Sequence, residues 1–241
     1  MKQGTIYGVG LGPGSQDLMS VRADRLIRGA SHVAYFRKKG RTGHARSIVE
    51  GLVAAEATEL PMEYPVTTEI PFDDPRYNEL LAAFYERNVA RLTEIADAGH
   101  DVVVLCEGDP FFYGSFMHLY TRLQGRVPVS VVPGITGMSA AWTATGQPVT
   151  WGDDIMTVLM GTLPEATLVE RISQTDALVV MKIGRNLDKL RRALARAGRE
   201  GEAWLIEYAT MPQERILPFR EAGDSVPYFS ILVIHGHGRR P

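Results

Sequence analysis

The chain is poor in cysteine. Cys106 is the only one among 241 residues, which excludes an internal disulfide framework and fits a reducing compartment. Long apolar runs are also missing, with none near the roughly 18 residues of a membrane span. The N-terminus, Met1-Lys2-Gln3-Gly4-Thr5, enters a strand directly, without the pattern of a signal peptide. A cytoplasmic protein is expected. Charge is nearly balanced at −2, so no global field recruits nucleic acid or a membrane surface. The six histidines form no metal set. His235 and His237 could share a strand face, but no third ligand stands at a suitable spacing. The segment His235-Gly236-His237-Gly238-Arg239-Arg240 reads as a frayed end. No G-x-S-x-G is present, and no lysine of a phosphate-binding loop follows the N-terminal glycines.

What is present is an alternation of short apolar runs with amphipathic stretches. Strands are expected at Ile6–Leu11, His32–Phe36, 102–106, Val127–Val132, Ile155–Met160, Ala177–Met181, Ala203–Tyr208 and Tyr228–Ile234. Helices are expected after an N-cap at Ser15, over 43–55, and along the face Leu81, Phe84, Tyr85, Val89, Leu92 and Ile95. Further helices are expected up to Gly125, through the small residues Ser139 to Ala144, and near 164–173 and 186–197. Residues 61–76, with four prolines, read as a long surface loop. This pattern predicts an α/β protein of two mostly parallel-sheet lobes, 1–149 and 150–241.

The stretch Glu107-Gly108-Asp109-Pro110-Phe111-Phe112-Tyr113-Gly114 follows a buried strand, where open α/β sheets bind ligands. Gly108 allows close backbone approach, and Pro110 stiffens the turn. The run Gly8-Val9-Gly10-Leu11-Gly12-Pro13-Gly14 invites a dinucleotide reading. Pro13 occupies the place of the last glycine, however, and Tyr35-Phe36-Arg37 stands where ribose recognition needs an acid. NAD is therefore disfavoured. Cys106 ends a buried strand and reads as a small core residue. Basic residues cluster at Arg37-Lys38-Lys39-Gly40-Arg41, with Arg46 beyond, and Lys182 and Arg185 follow another strand end. Such clusters at sheet edges suit a polycarboxylate ligand.

Five segments in this order and spacing resemble the tetrapyrrole (corrin/porphyrin) S-adenosylmethionine methyltransferases. They are Gly8–Gly14, Glu107–Gly114, Val132-Pro133-Gly134-Ile135-Thr136-Gly137, Met181–Asn186 and Glu207-Tyr208-Ala209-Thr210. Uroporphyrinogen methyltransferases usually carry Gly-Gly-Asp-Pro and Glu-Asn-Gly-Thr. Here Glu107 replaces the first glycine of one, and Tyr208 and Ala209 replace Asn and Gly of the other. The segments Ala34–Lys39, Met62–Glu69, Met181–Asn186 and Tyr228-Phe229-Ser230 resemble the branch acting on a meso carbon of a reduced tetrapyrrole.

The resemblance implies a homodimer with the donor, S-adenosyl-L-methionine, in a cleft between the lobes. Its contacts would be Pro13, Gly108, Asp109, Tyr113, Thr136, Gly137, Met181 or Lys182, Ala209 and Thr210. The tetrapyrrole carboxylates would meet Arg37, Lys38, Lys39, Arg46 and Arg185. Glu107 and Tyr113 are the candidate proton acceptors, and no metal in the protein is needed. A methyltransferase acting at another macrocycle position or on a protein, and a non-catalytic module of the same fold, are the alternatives.

Overall fold

The structure, a computed structural model, describes residues 2–66, 70 and 74–239. It divides into two units, Met1–Thr136 and Gly137–Pro241.

In the first unit, β1 (Ile6–Gly10), β2 (His32–Lys38), β3 (Thr58–Tyr64), β4 (Val102–Cys106) and β5 (Val129–Val132) form one sheet in the order β3-β2-β4-β1-β5. All four pairings are parallel. A parallel sheet needs cover on both faces, which is why β4 is buried at all five positions. One face packs on Phe84, Val89 and Leu92 of α3 (Pro75–Asp97) and on Phe116, Leu119 and Leu123 of α4 (Phe116–Leu123). The other packs on Ala23 and Ile27 of α1 (Val21–Arg28) and on Ala45 and Ile48 of α2 (His44–Ile48). Capping places the helix starts. Ser20, rather than the expected Ser15, accepts from the Ala23 N–H to open α1. Asp74 accepts from the Arg76 N–H, and Pro75 fixes the first turn of α3.

β3 runs through the stretch expected to be loop from residue 61. It pairs with β2 from His32↔Thr58 to Lys38↔Tyr64. It is an edge strand, where Pro61 can sit without losing a ladder bond. Thr67–Glu69 of the segment singled out in the sequence lie outside the described residues, as do 71–73.

The second unit joins α5 (Gly137–Ala144), β6 (Met156–Met160), α6 (Glu165–Ser173), β7 (Ala177–Met181), α7 (Leu187–Arg196), β8 (Trp204–Glu207), β9 (Arg215–Pro218) and β10 (Ser230–Ile234). Its sheet order is β6-β7-β10-β8-β9. Only β6–β7 is parallel, so the expectation of a mostly parallel second sheet is corrected. The crossover helices α6 and α7 do keep β6, β7 and β8 in one direction. No α-helix separates β8, β9 and β10, and β9 and β10 flank β8 and both run against it. The division between units falls before α5, because Ala141 packs with Val179, Ile206 and Val233 of the second sheet.

The chain past β10 is not frayed at His235, which is 5% exposed. Its Nδ1 lies 3.0 Å from the Pro148 carbonyl and its Nε2 3.0 Å from the Thr145 hydroxyl. Burial lowers its pKa, opposed by the Pro148 carbonyl. The unfolded chain, with an ordinary imidazole, then takes up a proton before the native state does. Stability is complete above the unfolded pKa of about 6.5 and falls as pH drops below it. Chemical denaturation of wild type and His235→Phe at pH 7.5 and 5.5 checks this. The wild type should lose more stability between the two pH values than the variant. Arg240, the end of that segment, lies outside the described residues.

Candidate active site at the strand ends

The loops after β1, β4 and β5 meet at the carboxyl edge of the first sheet. Gly12 and Gly108 exchange backbone hydrogen bonds of 3.3 and 2.8 Å, an isolated antiparallel bridge on a parallel sheet. Both are left-handed, with φ of 76° and 63°. A Cβ on Gly134 would stand 2.1 Å from the Gly108 carbonyl oxygen, and one on Gly10 2.6 Å from the Gly134 nitrogen. These glycines therefore serve the approach of loop to loop. The Asp109 carboxylate completes the arrangement, accepting from the Phe111 N–H at 2.8 Å and the Gly134 N–H at 3.0 Å. Its place is in the wall, holding the β4 and β5 loops together. Pro13 follows the bridge and is half-buried, as is Thr136 beyond Gly134.

Glu107 ends β4. Its side chain reaches solvent, yet protein crowds it closely enough that desolvation raises its pKa, while nearby His44 and the Ala45 N–H pull the other way. Cys106 is fully enclosed, and burial pushes its thiol far above the ordinary range. It carries no nucleophilic role.

In the second unit the ends of the co-directional β7 and β8 share one sheet edge. Gly161, after β6, donates 2.7 Å to the Met181 carbonyl, and a Cβ there would stand 2.8 Å from the Lys182 carbonyl oxygen. Buried Glu207 is held by Arg215 at 3.1 Å, its directly opposed residue on β9. The Thr210 N–H donates to Glu214 at 2.7 Å, but the buried Thr210 hydroxyl has no partner among the described residues. Gly137 opens α5, close to Ile231 of β10.

Among the described residues, four that are not glycine have left-handed backbones: Tyr113, Lys182, Tyr208 and Thr210, with φ from 52° to 67°. Each such residue costs of order 1 kcal/mol or more and tends to persist where function requires it. All four fall inside the segments read from the sequence as donor-binding. Tyr208 was not among the residues named there. Its signal was the replacement of a residue type that tolerates this conformation.

The basic cluster separates. Arg46 donates twice to Glu59, at 2.9 and 2.8 Å, and Arg37 twice to one oxygen of Glu63, at 3.0 and 2.7 Å. Both guanidiniums line a cavity of about 580 Å³. Lys38 and Lys39 are exposed outside its lining, and Arg185 stands in the second unit, in the turn Gly184–Asn186.

Residues 5–222 match the family model of tetrapyrrole (corrin/porphyrin) methylases. The chain belongs to that family. A precorrin-2 C(20)-methyltransferase of Sinorhizobium sp is 46% identical over 239 residues, covering 99% of this chain and 98% of that one. Mycobacterial CobIJ cobalamin biosynthesis proteins are 41% identical, but the match spans only 47% of their length. The cobalt-precorrin-2 C(20)-methyltransferase of Salmonella typhimurium is 27% identical, covering 96% of each. Among solved structures, a uroporphyrin-III C-methyl transferase from Thermus thermophilus complexed with S-adenyl homocysteine superposes with a TM-score of 0.68. It is 23% identical, covering 96% of this methylase and 92% of that chain. The methylase has no helix among the described residues long and apolar enough to cross a membrane.

Proposed function

We propose that this methylase transfers a methyl group from S-adenosyl-L-methionine to meso carbon 20 of precorrin-2, giving precorrin-3A in cobalamin biosynthesis. The observation that carries the reading is the set of four left-handed non-glycine residues, all in the family's segments. The near full-length relative of the same activity supports the choice of substrate.

The residues fit the donor. The Thr210 hydroxyl, buried and without a partner among the described residues, offers a hydrogen-bonding atom in the second unit, where Lys182 and Ala209 also lie in the family's segments; Tyr113 belongs to the first unit's segment. Bound S-adenosylmethionine supplies an electrophilic sulfonium methyl and departs as S-adenosylhomocysteine. The chain's own work is positioning. The Gly12–Gly108 bridge and Asp109 fix the first-unit loops, and Gly161 fixes the loop carrying Lys182. Carbon 20 gains a methyl group and loses its proton. Glu107 is the acceptor at the strand end, where desolvation raises its pKa and makes its carboxylate a better base. Glu107→Gln should slow turnover about 100-fold with S-adenosylhomocysteine affinity unchanged. Unchanged turnover would remove Glu107 from this role.

Mass spectrometry of precorrin-2 and cobalt-precorrin-2 after incubation with donor tests the whole reading. Gain of one methyl group by precorrin-2 is expected. Methylation of the cobalt complex alone would move the protein to the cobalt-dependent reaction, as in the Salmonella relative. The family resemblance also supports a homodimer, which sedimentation of the purified protein would check, and the single cysteine supports a cytoplasmic location.

A further inference from the structure

We propose that the cavity beside β2 and β3 receives one carboxylate arm of the macrocycle, with Arg41 as the group that grips it. This rests on the reading above that the substrate is a polycarboxylate tetrapyrrole. The cavity, about 580 Å³, is lined among others by Tyr35, Arg37, Arg41, Arg46, Glu50 and Glu59.

Its three guanidiniums are not equivalent. Arg46 and Arg37 are already neutralised by Glu59 and Glu63. Tyr35, 5% exposed, adds its hydroxyl to the Glu59 carboxylate. Pairing fixes these two forks without exhausting them. A guanidinium has five N–H donors, and each of these commits two. They are preorganised, charge-paired donors, which saves ordering entropy when a ligand arrives. The Arg41 side chain, by contrast, has no hydrogen-bond or ion-pair partner among the described residues. It is the uncompensated cation of the lining. Glu50, a carboxylate of the lining outside these two pairs, acts electrostatically on Arg46 and repels an incoming acid.

The pocket is also on the right wall. Arg46 lies on α2, and the Ala45 N–H of the same helix bonds to Glu107, the first residue of the β4 loop. An arm seated in the cavity is thereby tied to the edge where the loops after β1, β4 and β5 meet.

Uroporphyrin III, a fluorescent polycarboxylate tetrapyrrole, titrated onto the full-length protein and followed by quenching, tests this apart from turnover. Arg41→Gln should weaken its binding about tenfold, as expected for one partly screened charge-assisted contact. Glu50→Gln should tighten it about threefold, a gain that a merely structural role for either residue would not produce. Affinity for S-adenosylhomocysteine, measured by calorimetry on the same samples, should stay constant. Equal porphyrin affinity in all three proteins overturns the pocket while leaving the methylase reading intact. Loss of S-adenosylhomocysteine binding in step with porphyrin binding overturns it as well. A wild type that binds no porphyrin and does not methylate precorrin-2 overturns the substrate reading itself.

Discussion

Gly134→Ala should abolish S-adenosylhomocysteine binding and lower the melting temperature more than any surface substitution. The new Cβ would stand 2.1 Å from the Gly108 carbonyl oxygen and 2.9 Å from the Gly10 Cα. Both are backbone, so no side chain can swing aside. Relief requires the β5 loop to move away from the β4 loop, breaking the Asp109–Gly134 bond on the way. Overpacking costs about 1–3 kcal/mol, and a clash with backbone that cannot swing aside lies at the upper end. Calorimetric unfolding and titration with S-adenosylhomocysteine would show both losses together. A variant that keeps wild-type affinity would mean that the loop junction does not shape the donor site.

Asp109→Ala should come next in size. Two backbone N–H groups, of Phe111 and Gly134, would lose their acceptor. Hydrogen bonds to a charged group contribute about 1.5–3 kcal/mol each, and a half-buried donor left unpaired adds its own desolvation. A loss of about 3 kcal/mol in unfolding free energy is expected, with donor affinity falling too because the wall loosens. Asp109→Asn separates the two effects. It keeps one acceptor oxygen, so it should retain the Phe111 turn and lose the link to Gly134. Equal stability of Asp109→Ala and wild type would return Asp109 to the role of a direct donor contact.

Much of this arrangement could be read in the sequence, and the gaps have separate causes. Apolar runs revealed β1, β2 and β4, because strands buried on both faces have no polar alternation to blur them. β3 escaped because Pro61 and three acidic or polar positions disguise an edge strand. That single omission also misjudged the basic cluster. Glu59 and Glu63 sit on β3, so without the strand Arg37 and Arg46 looked like free cations. The direction of β9 and β10 was hidden for a different reason. Strand polarity is readable where an α-helix makes the crossover, and only a short 3-10 turn lies between β8 and β10. The donor-site segments were visible as motifs, but the division of labour inside them was not. Glycines that looked like room for a ligand turned out to be room for other loops.

The place of β10 has a consequence for how the molecule is made. It is the last strand in sequence yet the middle one of its sheet, between β7 and β8. During synthesis the backbone edges of those two strands therefore stay unsatisfied until residues 230–234 leave the ribosome. The first sheet is complete once Val132 has emerged. The nascent protein thus passes through an interval with one finished half and one split, adhesive half. That interval is where a chaperone would be needed and where misassembly would begin.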